Sequence, residues 1–319
     1  MGDLPSGPIP VPPWRPADLP SLRAAYSDRT AALMAYLAAF AYDARIEATS
    51  AIAVPKELAG FGFRQFTAFH NGLCDGFAYI AEGKDLIVLS FRGTQSSVNW
   101  RTNLNARLIH PDATDRNLKV HEGFYSAFVM LNDGAQGILD KMRQLKISTN
   151  GLIPIYITGH SLGGALAKVA SAVLGDDQVA ACYTFGSPRV GNIYFDLWVK
   201  PPSYRLINYA DIVPQMPLSV MGYRHAGDAR YLPDVAIDSP YRFEPNLIER
   251  GWQLVRGIVQ FLRARSILGI DDHQIVEYCR KLDHIAQART RVVGVRVGPE
   301  SFERRPQVQH GGAKHPTWP

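Results

Sequence analysis

Apolar positions along this chain follow two alternating rhythms, short runs of strand length and longer stretches with helical spacing. Between about 22 and 44, Leu33, Met34, Leu37, Phe40 and Ala41 share one face of a helix. Residues 63–69 and 76–82 then read as two strands around a turn containing Asn71-Gly72, with Gly83 closing the pair. The next run, Leu86-Ile87-Val88-Leu89-Ser90-Phe91, is almost wholly apolar, as expected of a central strand covered on both faces. A helix over about 122–146 follows, with Phe124, Phe128, Leu131, Ile138, Met142 and Leu145 as its inward set. Ile153 to Thr158, Val179 to Phe185 and Tyr204 to Tyr209 are further short apolar strands, and Ala165 to Leu174 is a small-residue helix. Strands alternating with helical segments predict an α/β fold with a mostly parallel central sheet and helices on both faces.

Two ends and one internal stretch break this pattern. Residues 1–20 carry seven prolines and read as an extended leader. After about 286 the chain turns Arg-, Gly- and Pro-rich, so 286–319 is expected to be a loosely ordered tail. With no internal repeat or composition break between them, 21–285 is expected to form one domain. Inside it, Ile248, Trp252, Val255, Val259 and Leu262 make one helical stripe, flanked by Arg256, Gln260 and Arg263. This basic amphipathic stretch, 245–268, either docks on the core by its stripe or serves as an interface-binding or lid element.

Composition narrows the function classes. The 319 residues are 46% hydrophobic and 20% charged, ordinary for a globular protein. The net charge is +5, but 286–319 hold six Lys/Arg against two Asp/Glu, so most of the excess lies in the tail. Nucleic acid is therefore not implied as a partner. Three cysteines, Cys74, Cys182 and Cys279, are too few and odd in number for a disulfide framework. The N-terminal residues show no basic and apolar signal-peptide pattern, and no apolar run approaches the roughly 18 residues that span a bilayer. The simplest expectation is a soluble, cytoplasmic protein, with export by a non-standard route as the alternative.

The chemistry centres on Gly159-His160-Ser161-Leu162-Gly163-Gly164, between the strand ending at Thr158 and the helix from Ala165. A G-x-S-x-G pattern alone would occur by chance in about one chain in ten of this composition, so the flanks carry the inference. Strand, sharp turn and helix are the context of a nucleophile elbow, in which the serine hydroxyl stands clear of the backbone and the glycines let strand and helix pass closely. The helix N-terminus also favours an oxyanion.

A serine hydroxyl needs a base, and the base needs a third group to orient it. In the order Ser, Asp/Glu, His, the acid is sought after the serine and the base after the acid. Asp211 follows the strand ending at Tyr209, at the carboxyl end where an α/β site collects its residues. Asp228, Asp234 and Asp238 lie later, in turn-like stretches. His273 stands at an exposed loop-to-helix junction; His284 would project from the far end of that helix, and His310 and His315 fall in the tail. His225, in Gly222-Tyr223-Arg224-His225-Ala226-Gly227, stays open as a rival base. For the oxyanion, the backbone N–H of Leu162 and the N–H or hydroxyl of Thr94, after the strand 86–91, are the candidate donors, each typically worth about 3 kcal/mol. This chemistry requires no cofactor, and no Cys/His cluster suggests a metal.

With these residues in place, the chain resembles the class 3 lipase family of α/β-hydrolases. The matching pieces are Phe91-Arg92-Gly93-Thr94, Asn99-Trp100 with Leu104, Val120-His121-Glu122-Gly123-Phe124, the elbow 159–164, Phe185-Gly186-Ser187-Pro188-Arg189-Val190-Gly191-Asn192 and Asp211-Ile212-Val213-Pro214 with Pro217. Tyr223 to Gly227, and His273 with Tyr278 and Leu282, complete a series in the family's order across about 30–285. The resemblance implies an α/β-hydrolase fold, a triad of Ser161, Asp211 and His273, an oxyanion position at Thr94, a structural role for His225 and a lid at about 95–106 with Trp100. His160 is the family's elbow neighbour and not a base. The 62 residues from Asp211 to His273 look longer than in compact fungal members. The implied function is a serine carboxylester hydrolase, most simply a lipase cleaving acylglycerol or related lipid esters at a lipid–water interface through an acyl-enzyme on Ser161. A soluble short-chain esterase and a catalytically silent hydrolase-fold binding protein are the alternatives.

Overall fold

The computed structural model describes residues 11–16, 19, 25–43, 54–93, 107–111, 115–133, 137–175, 179–208, 211–232, 251, 255 and 273–294, with backbone only beyond 288. The strands are β1 (Phe63–Asn71), β2 (Gly76–Gly83), β3 (Ile87–Phe91), β4 (Leu108–Ile109), β5 (Val120–His121), β6 (Ile155–His160), β7 (Val179–Phe185), β8 (Ser203–Asn208) and β9 (Asp228–Leu232). The helices are α1 (Asp28–Phe40), α2 (Lys56–Gly60), α3 (Glu122–Asn132), α4 (Ile138–Ser148), α5 (Leu162–Leu174), α6 (Ile193–Trp198) and α7 (Ile275–Gly294).

Seven strands form one sheet in the order β1-β2-β3-β6-β7-β8-β9, and β4 pairs with β5 in a separate ribbon. From β3 to β9 every pairing is parallel, while β1 and β2 run antiparallel at one edge. The expected α/β architecture is therefore present, with β9 as an added parallel edge strand. The apolar rhythm missed it because β9 reads Asp-Ala-Arg-Tyr-Leu and only Leu232 is buried. An edge strand buries little, so it carries little hydrophobic signal.

Period-two alternation divides the side chains between two cores. On one face, Tyr79, Val88, Tyr156, Tyr183 and Leu206 pack with α1 and α7. On the other, Ile80, Leu89, Phe91, Ile157 and Cys182 pack with α3, α4 and α5. The expected stripe on α1 is only part of its contact: every residue from Thr30 to Phe40 is buried. The helix lies against the sheet so closely that its carbonyls serve the strands. Tyr79 donates to the Leu37 carbonyl at 2.7 Å, Ser90 to the same carbonyl at 3.2 Å, and Thr158 to that of Met34 at 3.1 Å. Ala31, Ala32, Ala35, Ala38 and Ala39 allow that approach, since larger side chains would hold helix and sheet apart.

Three boundaries differ from the sequence reading. The single helix expected over 122–146 is two, α3 and α4, although its whole inward set is buried. Asp133 and Gly137 flank the break, and the Asn132 side chain accepts from the Leu139 N–H at 2.8 Å. The Asn132 side chain, bonded to the Leu139 N–H, outcompetes helix continuation here. The boundary placed at 285 is crossed by α7, which runs to Gly294 with Ile285 and Ala286 in the core; the rest of the expected tail lies outside the described residues. Within the proline-rich leader, Leu19 is buried and Trp14 packs against the core with Arg29 over its ring. Of the amphipathic stretch 245–268 only Gly251 and Val255 are described, both helical, and Val255 is half exposed.

Because β3, β6, β7 and β8 are parallel, their carboxyl ends meet on one side, where Gly93, Ser161, Gly186 and Asp211 follow them. Truncating a fully buried contact that sets this alignment should be costly. Leu37→Ala, on the helix whose carbonyls anchor β2 and β3, is expected to lower the unfolding free energy by about 2–5 kcal/mol, read as a fall in the urea midpoint at unchanged slope.

Candidate active site

Ser161 sits between β6 and α5 with φ 57° and ψ −125°, a conformation that side-chain-bearing residues avoid. Its neighbours explain why the chain accepts it. A Cβ on Gly159 would run into the Gly163 carbonyl, and one on Gly163 into the Phe91 carbonyl of β3. Only glycine permits strand and helix to cross at this spacing. The Ser161 N–H donates to the Phe185 carbonyl of β7 at 2.9 Å, so the bend is pinned to the neighbouring strand.

The side chain so presented meets both expected partners. His273 Nε2 lies 2.8 Å from Ser161 Oγ, and His273 Nδ1 lies 2.8 Å from Asp211 Oδ2. The carboxylate can only accept, so Nδ1 carries the proton and Nε2 is left to accept from the serine hydroxyl. Asp211 is held in turn: Tyr278 donates its hydroxyl to Oδ2 at 2.6 Å, and the Val213 N–H donates to Oδ1 at 2.9 Å. The Asn208 N–H donates to the Tyr278 oxygen at 3.0 Å, tying that tyrosine to the end of β8. Arg189 donates to the carbonyls of Gln215 and Pro217 and so fastens the turn that follows Asp211.

His273 is buried, 2% exposed, where the sequence suggested an exposed junction. The helix it opens, α7, packs against α1 through Ile275, Tyr278 and Leu282, and draws the histidine in with it. His225 is not brought to Ser161. Its Nε2 donates to the Pro214 carbonyl at 2.7 Å, and burial, with Arg205, Lys168 and Arg189 nearby, holds its pKa well below the usual histidine range. His284 is exposed on α7. Leu162 opens α5, so its N–H is among the first four of a helix that find no intrahelical partner. Thr94, Trp100 and the expected lid 95–106 lie outside the described residues.

Two contributors were not assigned from sequence. His160 packs its ring 4.7 Å from that of His273, and its Nε2 donates to the His273 carbonyl at 2.7 Å. Burial, and then the neighbouring His273, keep its pKa well below the ordinary value. Tyr278 had entered only as a matching position; its spacing five residues after His273 was the available signal for a group near the acid. Among the described residues no cluster of three His, Cys, Asp or Glu could hold a metal ion, and no helix is long and apolar enough to cross a membrane.

Residues 88–221 match the family model for lipase, class 3. Over these residues the chain is similar to the class 3 lipases. It is 36% identical over 170 residues to a secreted mono- and diacylglycerol lipase 1 of Fusarium solani, covering 51% of this chain and 50% of that one. It is 31% identical over 173 residues to a lipase of Rhizomucor miehei, covering 50% and 46%. The chain thus spans about half the length of the relatives it matches. Among solved structures, the lipase from Rhizopus microsporus var. chinensis superposes with a TM-score of 0.55 at 25% identity, over 74% of this chain and 84% of that one. The parallel sheet and flanking helices of this chain are thus those of the fungal lipase α/β-hydrolase fold.

The two neutral histidines beside and below the site make the fold acid-sensitive. Below about pH 6.5, the ordinary histidine pKa, the unfolded chain takes up protons at His160 and His225 that the folded chain refuses. Their contribution is complete above that pH and declines as pH falls, by up to about 1.4 kcal/mol per unit for each group. Urea midpoints measured from pH 7 down to pH 5 should decrease, and His225→Gln should flatten the slope.

Proposed function

We propose that this chain is a serine carboxylester hydrolase of the class 3 lipase type that cleaves acylglycerol or related lipid esters through an acyl-enzyme on Ser161. The observation that carries the reading is the continuous set of bonds from Ser161 Oγ through both nitrogens of His273 to Asp211 Oδ2, each 2.8 Å long. His273 takes the hydroxyl proton as Ser161 attacks the ester carbonyl, and Asp211 steadies the imidazolium that forms. The tetrahedral oxyanion is received by the Leu162 N–H at the start of α5 and by Thr94 beyond β3. Collapse of the intermediate transfers the proton from His273 to the leaving alcohol. Water, deprotonated by the same histidine, then releases the acid.

The acylglycerol class rests on the two lipases whose sequences match, one of them a mono- and diacylglycerol lipase by name.

Ser161→Ala is expected to lower hydrolysis of p-nitrophenyl esters by at least about a thousandfold. Equal rates for variant and wild type would overturn the mechanism. His273→Ala should lose far more activity than His225→Ala on the same ester, and the reverse order would reassign the base. Raising a glyceride above its solubility limit should increase the rate abruptly if a lid covers Ser161; a smooth saturation curve would favour the short-chain esterase.

A further inference from the structure

Beneath the triad lies a second hydrogen-bonded chain that the reaction as described does not use. Tyr42, two residues beyond α1, places its hydroxyl 2.9 Å from Nδ1 of His160. His160 Nε2 in turn lies 2.7 Å from the backbone carbonyl of His273. A carbonyl can only accept, so Nε2 must carry the His160 proton. In the neutral ring Nδ1 then accepts, and the proton of the Tyr42 hydroxyl must point to it. The direction of every bond in the chain is therefore determined. Tyr42 also meets the end of β3: a Cβ on Gly93 would collide with its oxygen and with the His160 carbonyl, and the Gly93 N–H faces the hydroxyl. Gly93 immediately precedes Thr94.

We propose that Tyr42 and His160 are a positioning pair that locks the backbone of His273 in register with Gly93 at the end of β3. The inference rests on the hydrolase reading of Ser161 and adds to it. Its physical core is a tautomer constraint. With the Tyr42 proton at Nδ1, His160 presents N–H to the His273 carbonyl. Without that proton, the Nδ1–H tautomer of His160 becomes accessible, and its Nε2 lone pair then faces the carbonyl lone pairs. The tautomer that holds the carbonyl is then no longer enforced, and the residue it holds is the one whose ring bridges Ser161 and Asp211. Small displacements of a base cost rate more than they cost binding.

The test uses the full chain. Tyr42→Phe keeps the ring and removes only the hydroxyl. It is expected to lower kcat on a dissolved p-nitrophenyl ester about tenfold while KM changes by less than about twofold. His160→Phe keeps an aromatic ring against His273 and loses both bonds. Because the two residues act as one unit, the double variant should lose no more than the larger single variant. A readout independent of turnover is the low-field proton resonance of His273 Nδ1–H bonded to Asp211, identified by its disappearance in His273→Ala. It should shift or broaden in Tyr42→Phe. Unchanged kcat with an unchanged resonance, a loss confined to KM, or multiplicative losses in the double variant would each overturn the proposal. If wild type hydrolysed no ester, the hydrolase reading would fall, and the resonance alone would decide whether Tyr42 positions His273.

Discussion

Everything at the catalytic end depends on how closely α5 crosses the ends of β3 and β6. Gly163 lies against the Phe91 carbonyl and Gly159 against the Gly163 carbonyl, with no room for a Cβ at either. That contact forces Ser161 into a positive φ, and the Phe185 carbonyl holds its N–H there. Four elements, β3, β6, β7 and α5, therefore agree on the place of one residue. The strain of an avoided backbone conformation, of order 1–3 kcal/mol, is offset by the packing of those elements. In return the hydroxyl projects from the bend, and the start of α5 directs its unpaired N–H groups to the same space.

Burial sets the second condition, because polar groups removed from water must find partners of the right sense. The histidines illustrate this. His273 gives its Nδ1 proton to a carboxylate, His160 and His225 give their Nε2 protons to carbonyls, and His121 uses Nδ1 to accept from the Gly123 and Phe124 N–H groups at the start of α3. Each ring has one tautomer that fits its surroundings. Of these rings, only His273 keeps a basic nitrogen aimed at the Ser161 hydroxyl. The others serve as fixed donors or acceptors, and the pKa values of His160 and His225 are held well below the usual range by burial. A base that must pick up a proton during reaction thus stands among rings that stay neutral around it.

Asp211 shows the same economy. Its two oxygens accept from His273, Tyr278 and the Val213 N–H, three donors that come from α7, from the loop before it and from the turn after β8. The carboxylate consequently joins two distant parts of the chain. Since α7 packs on α1 and α1 on the sheet, the position of the acid, the base and the Tyr42–His160 chain all trace back to one helix–helix contact.

Much of this was legible in the chain itself. Strands 87–91, 155–160 and 179–185 carry strong apolar runs, because a strand covered on both faces must be apolar throughout. Ser161 and Asp211 could be named because each follows such a strand, where the backbone geometry is local. The less legible parts are those whose signal is weak or non-local. Strand β9 is an edge and buries one residue; the break between α3 and α4 depends on a side-chain cap competing with helix propagation. The choice between His273 and His225 could be argued from spacing and resemblance, but proximity to Ser161 depends on how α7 docks, across 112 residues of sequence. Tyr42 lies still further from any motif, 118 residues before its partner His160. The sequence by itself determined the alternation of strands and helices, the glycine-flanked bend and the order of the reactive groups, since these depend on local backbone preference and burial periodicity. Tertiary structure decided which histidine reaches the serine, which tyrosine holds the acid and which tautomer each buried ring adopts. Those outcomes are set by contacts between segments far apart in the chain, which no local pattern records.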